Sequence, residues 1–133
     1  MKDRPKRYTL KKSEILSSPK AIQQLFEDGE SLFSFPYKLI ISKLDESKDD
    51  SSLLVSFSVP KRNHKKAVTR NLLKRRMKEC YRKNKPNLSP DGHGYALMYI
   101  LVDKSVTDYK ILETAMIKIN TLLVKHIDDQ RNL

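Results

Sequence analysis

From Lys61 to Lys85 the chain carries twelve basic residues and a single acid, Glu79. Such a segment cannot be packed into an interior on both sides, yet Val68, Leu72, Leu73, Met77, Cys80 and Tyr81 recur within it at helical spacing. An amphipathic helix over 66–83 reconciles the two, with Val68, Leu73, Met77 and Cys80 facing a sheet and the cations facing out. Arg62, Lys66, Arg70, Lys74, Lys78 and Arg82 fall at every fourth position. Four residues turn a helix by about 400°, so from Lys66 onward these side chains form a stripe that drifts by about 40° per step. Arg75 and Lys83 widen it.

The net charge of this segment, +11, equals that of the whole chain, which has 27 Lys and Arg against 16 Asp and Glu. The remainder is therefore balanced, and the positive field is concentrated on one element. Solvated helices usually mix Glu with Lys four residues apart, whereas here like charges are stacked and repel. Phosphate binding, in which each cation releases a condensed counterion, is the reading that relieves this repulsion. An anionic membrane fits less well, because no Trp backs the basic face. The solvated charged face is the alternative, and Asn71 beside Arg70 adds a donor and an acceptor for a base edge or a hydrated ion.

A chain of 133 residues is the size of one domain, here 1–133. Residues 1–12, with Lys2, Arg4, Lys6, Arg7, Lys11 and Lys12, read as a flexible basic arm. The charged start leads into no apolar run suited to a signal peptide or membrane span, and one cysteine, Cys80, excludes an internal disulfide framework. A soluble, cytoplasmic protein is expected.

Ser17-Ser18-Pro19 offers a helix cap and first turn, followed by Ile22, Leu25 and Phe26 on one face and Gly29 as a stop. Phe33, Phe35, Tyr37, Leu39 and Ile41 then alternate, predicting a short strand, a break at Pro36 and a longer strand with these residues on one side. Asp45–Ser52 reads as an exposed hairpin loop, and Leu53–Val59 as the next strand. After the basic helix, Tyr95–Val102 is apolar on both faces, as a central strand would be. Ile111, Leu112, Ala115, Met116, Ile119, Leu122 and Leu123 mark a last helix.

The run Ser58-Val59-Pro60-Lys61-Arg62-Asn63-His64-Lys65-Lys66-Ala67-Val68-Thr69-Arg70-Asn71-Leu72-Leu73-Lys74-Arg75 resembles the signature of the protein component of bacterial ribonuclease P. That signature is a strand ending in Ser-Val-x-Lys-Lys/Arg, then a helix opening on Lys-x-Ala-Val-x-Arg-Asn-Arg-x-Lys-Arg. The match is close over residues 53 to 85, and the order of elements extends it to most of the chain. Leu72 stands where the family usually has a second arginine, and His64 where relatives commonly carry an apolar residue.

The resemblance implies an α+β single domain, a mixed four-stranded sheet flanked by three helices in the order αβββαβα. This is the ribosomal protein S5 domain 2-like fold, with a left-handed crossover through the basic helix that pattern alone would not predict. It implies an accessory subunit of an endoribonuclease that removes the 5′ leader from precursor tRNA, the catalytic RNA performing the hydrolysis with bound metal ions. The partners would be that RNA and precursor tRNA, with neither membrane nor DNA. Lys61, Arg62, Lys65, Lys66, Arg70, Asn71, Lys74, Arg75 and Lys78 would contact RNA. Ile22, Phe26 and Ile40, with Tyr37 close by, would line a cleft for the single-stranded leader, only Phe26 keeping aromatic character for stacking. Core packing is the alternative for these four.

The residues themselves argue against a self-sufficient enzyme. His64, His93 and His126 are far apart, no calcium-loop spacing exists among Asp45, Glu46, Asp49 and Asp50, and three glycines cannot build a nucleotide motif. No catalytic residue, metal site or cofactor is expected in the protein, magnesium being used by the RNA-containing holoenzyme. Two rivals remain open at this point: a general structured-RNA-binding or ribosomal protein, and a helix-turn-helix DNA regulator.

Overall fold

The computed structural model describes residues 15–16, 18–43, 53–86 and 94–131. The elements run α1 (Pro19–Asp28), β1 (Glu30–Ser34), β2 (Tyr37–Lys43), β3 (Leu53–Ser58), α2 (Ala67–Lys83), β4 (Tyr95–Leu101) and α3 (Tyr109–Arg131). The basic arm and the acidic loop of the sequence lie outside the described residues.

Four strands form one mixed sheet in the order β1-β2-β4-β3. β1 and β2 are antiparallel, β2 and β4 antiparallel, and β3 and β4 parallel. β4 thus has a neighbour on each side, which suits a strand whose residues are buried on both faces. Its insertion overturns the hairpin expected between β2 and β3, since those strands never pair. The parallel β3–β4 pair requires a crossover, and α2 supplies it.

One sheet face carries α2 and α3. Tyr37, Phe57, Tyr81 and Tyr99 meet there at ring separations of 5.6–6.2 Å, with Leu73, Met77 and Cys80 from α2 and Leu112, Met116, Ile119 and Leu123 from α3. Burial pushes the Cys80 thiol up to about 11, so it sits there as an unreactive apolar group. Polar ties fix the helices to this core. Tyr99 Oη donates to Asn120 Oδ1 at 2.6 Å, and Asn120 Nδ2 donates to the Asn84 carbonyl at the end of α2 at 2.7 Å.

The opposite face carries α1. Ser18 caps it, its Oγ accepting from the Ala21 amide, and Pro19 occupies the first turn. Leu25 is buried with Leu16, Ile40, Ala96 and Met98, and Ile22 packs at the margin. Gly29 ends α1 because there is no room for a side chain: a Cβ would lie 2.3 Å from the Leu25 carbonyl oxygen and 2.6 Å from Ile40 Cγ2. That close approach seats the end of α1 on β2.

Two expectations about facing are corrected. Phe33 does not share a side with Tyr37, Leu39 and Ile41, because the chain reverses at Phe35-Pro36, a cis peptide bond, and Phe33 pairs across the hairpin with Lys38. Pairing an odd-numbered residue with an even one inverts the alternation, so Leu32 joins the α2/α3 core while Phe33 falls on the α1 face. Val68 is 80% exposed and does not face the sheet. It lies about 140° round the helix from Leu73, whereas Leu73, Met77, Cys80 and Tyr81 share one side.

Candidate nucleic-acid interface

The basic surface is built from two pieces, the connection Val59–Lys66 and the outward side of α2. Pro60 stops β3 and its carbonyl accepts from the amides of Asn63 and His64, folding the connection into a turn. Lys61, Arg62, Lys65 and Lys66 on this turn are exposed, as are Asn71, Arg75 and Lys78 on α2, while Arg70 and Lys74 are half-buried. The structure therefore gathers all nine residues expected to meet RNA on the turn and the helix that follows it. α2 begins with no side-chain cap and no acid in its first turn, so nothing on that end offsets the cations.

The side chains are not equivalent. Arg70 Nη1 donates to the carbonyls of His64 at 3.0 Å and Lys65 at 2.8 Å, so this guanidinium holds the turn against the helix, and its other donors have no hydrogen-bond partner among the described residues. Arg76 Nη1 donates to the Thr107 carbonyl at 2.8 Å, in the β4–α3 connection, so this guanidinium is fastened within the protein while keeping its charge. Arg82 pairs with Glu79, whose carboxyl that guanidinium holds below the usual range, so at the far end of the stripe the charge of Arg82 is offset within the protein while Lys83 stays exposed. Among the described residues Lys74 has neither a hydrogen-bond nor an ion-pair partner.

On the α1 face, the registers put Phe33, Lys38, Ile100 and Ser58 in one row across all four strands. The next row is Ser31, Ile40, Met98 and Ser56. α1 covers Ile40 and Met98. The first row stays open, with Phe33 61% exposed, Lys38 exposed and Ile100 half-buried, and it ends at Ser58, where the chain enters the basic turn. Phe26, one turn beyond Ile22 on α1, is 56% exposed.

Of the four cleft residues expected from sequence, Ile22, Phe26 and Ile40 belong to this side of the sheet. Tyr37 does not: it is fully buried on the opposite face, its hydroxyl donating to the Leu112 carbonyl at 3.3 Å. Its neighbours Lys38 and Ile40 point to the α1 side, because adjacent residues of a strand alternate faces. Alternation carried through Pro36 puts Phe33 on the wrong face, whereas Lys38 lies on the side that alternation assigns it and only its place beside Phe33 needs the hairpin register. Three of the four phenylalanines, Phe26, Phe33 and Phe35, are exposed and present aromatic surface. No group of three or more His, Cys, Asp or Glu side chains able to hold a metal ion occurs among the described residues.

The Ribonuclease P family model matches residues 10–124. The chain belongs to the ribonuclease P protein family. It is 32% identical over 119 residues to the ribonuclease P protein component of Porphyromonas gingivalis, covering 86% of this chain and 85% of that one. It is 34% identical over 117 residues to the corresponding protein of Chlorobium phaeobacteroides, covering 78% and 80%. The fold agrees with solved structures of RNase P proteins from Staphylococcus aureus, at TM-score 0.69 and 15% identity over 84% of this chain and 96% of that one, and from Thermotoga maritima, at 0.64 and 22% over 80% and 94%. Within a ribonuclease P protein the departures at Leu72 and His64 acquire a definite setting. Leu72 is half-buried on the Arg76 side of α2, and His64 is buried beneath the basic turn.

Proposed function

We propose that this chain acts as the accessory protein subunit of ribonuclease P, binding the catalytic RNA with its basic turn and helix and the 5′ leader of precursor tRNA with its α1-side sheet face. The observation that carries the reading is the continuity of the two surfaces: the open row from Phe33 to Ser58 runs into the turn bearing Lys61, Arg62 and Lys65. Lys61, Arg62, Lys65, Lys66, Lys74, Arg75 and Lys78 neutralise phosphates, Arg70 does so with the donors it does not spend on the turn, and Asn71 orders nearby RNA or hydrated ions. Ile22 and Phe26 form the α1 wall of the leader cleft, Ile40 is packed beneath α1 and supports that wall rather than meeting the leader, and Phe33 with Lys38 offers a ring and a charge to an unstacked nucleotide.

Hydrolysis belongs to the RNA, with magnesium ions held there, and the protein contributes affinity and position. The duty is cytoplasmic. No helix among the described residues is long and apolar enough to cross a membrane.

The reading is tested by the affinity of the reconstituted protein–RNA complex for leader-bearing precursor and for mature tRNA. Tighter binding of the precursor, with the preference reduced by Phe26→Ala, is expected. Equal affinity for both, despite firm binding of the catalytic RNA, would leave only a general structured-RNA-binding protein.

A further inference from the structure

His64 is 6% exposed and sits between the basic turn and the rest of the domain. Its Nε2 donates to the Asp103 carbonyl at 2.9 Å, in the connection between β4 and α3. That connection is itself braced. The Asp103 carboxylate accepts from the Ser105 amide at 3.0 Å, Ser105 Oγ at 2.9 Å and Thr107 Oγ1 at 2.9 Å. These bonds, the Ser105 amide first, hold its carboxyl below the ordinary range.

The links close into a circuit. Arg70, on the first turns of α2, grips the His64 and Lys65 carbonyls; the His64 ring reaches Asp103; the Asp103 carboxylate holds Thr107; and the Thr107 carbonyl receives Arg76, again on α2. Of the members, His64 alone joins the basic turn to the β4–α3 connection. Without it the turn's remaining hydrogen bonds among the described residues would be those from Arg70 and those within the turn.

We infer that His64 is a positioning residue: it fixes the turn carrying Lys61, Arg62 and Lys65 so that turn and helix meet RNA as one preformed surface. This rests on the RNA-binding reading proposed above. The physical gain is that three flexible cations on a turn are ordered before binding, and the ordering cost is not charged against affinity when the RNA arrives. A packing histidine with no such role would fill the same space but would not couple to the cations on the turn.

The test is a double-mutant cycle on the full chain, with affinity for the catalytic RNA measured at 0.15 M salt and thermal unfolding measured alongside. One arm is His64→Leu, which keeps an apolar filling and removes the donor; the other is the combined substitution Lys61→Ala, Arg62→Ala and Lys65→Ala. Three phosphate contacts at about fivefold each predict a loss of roughly a hundredfold when the triple substitution is made in the native chain. In the His64→Leu background the same substitution is expected to cost less than about tenfold. His64→Gln, whose amide can donate to the Asp103 carbonyl, should restore the larger effect. A full hundredfold loss in both backgrounds would overturn the inference.

If His64→Leu fails to fold, Thr107→Val breaks the circuit on its other side without changing charge. It should shrink the effect of the triple substitution in the same direction, and an unchanged effect would again overturn the inference. Failure of the native chain to bind the catalytic RNA would sink the RNA-binding reading itself, whereas firm binding with additive substitutions sinks only the role of His64.

Discussion

Arg70 and Lys74 occupy successive positions of the same stripe, yet the structure gives them different work, and replacing each by alanine separates the two kinds of contribution. Arg70 Nη1 bonds two backbone carbonyls at 3.0 and 2.8 Å from a half-buried position. A charge-assisted bond of this kind is worth about 1.5–3 kcal/mol when buried, and partial exposure brings the expected loss to about 1–2 kcal/mol. For a domain of this size that lowers the midpoint of thermal unfolding by roughly 3–8 °C. Lys74 has no partner among the described residues, so Lys74→Ala should leave the midpoint unchanged to within about 1 °C.

Against RNA the two also differ. Loss of one phosphate contact reduces the slope of log affinity against log salt by about 0.9, which is about fivefold in affinity at 0.15 M. Lys74→Ala should show that change alone. Arg70→Ala should exceed it, because the Lys61, Arg62 and Lys65 side chains lose their hold on a fixed geometry as well. The assay is filter binding to the catalytic RNA across a salt series, with thermal unfolding of each free variant. If Arg70→Ala matched Lys74→Ala in both midpoint and slope, the role of Arg70 as a clamp on the turn would be refuted.

Other consequences can be checked separately. Phe33→Ala should weaken binding of leader-bearing precursor by roughly 1–3 kcal/mol, the value of one stacked base, with mature tRNA unaffected; equal losses on both would remove Phe33 from the leader path. Gly29→Ala forces a Cβ against backbone and Ile40, and should destabilise the domain by about 1–3 kcal/mol in chemical denaturation. The Glu30 carboxylate accepts from His126 Nε2 and Gln130 Nε2, both at 2.8 Å, and the His126 bond chiefly holds its pKa below the ordinary carboxylate value. Its stabilising effect is therefore present above that ordinary value and lost as pH falls through the lower folded one, so Glu30→Gln should melt slightly below the native chain at pH 7 and level with it in strong acid.

Much of the architecture is legible in the residues. Ser18-Pro19 and Gly29 mark the ends of α1, the doubly apolar Tyr95–Leu101 marks a central strand, and the cations with Leu73, Met77 and Cys80 mark α2. The order of strands is not, because pairing β2 with β4 rather than with β3 is decided by long-range burial of β4 and leaves no local trace. The phase error at Phe33 has a local cause, the reversal at Pro36, after which alternation restarts inverted. Val68 could have been put outside by helical angle alone, since it lies opposite the Leu73–Met77 side.

For the candidate site, the charge concentration marks out the basic turn and helix, whereas their internal wiring stays hidden. The Glu79–Arg82 pair follows from a three-residue separation on a helix, but nothing in the spacing says that Arg70 turns back on the His64 and Lys65 carbonyls or that Arg76 is spent on Thr107. Those assignments require the folded turn and the β4–α3 connection. They reduce a uniform basic stripe to a set of free cations on the turn and along Lys74, Arg75 and Lys78, fastened at both ends by arginines engaged within the protein.

The central claim, that these surfaces assist a catalytic RNA in removing the 5′ leader, is tested most directly by reconstitution. Purified chain is mixed with its cognate catalytic RNA and precursor tRNA at low magnesium, where the RNA alone is slow, and the released leader and mature 5′ end are quantified. The account predicts that the protein restores cleavage at the mature 5′ end. Tight RNA binding with no stimulation of cleavage would contradict it.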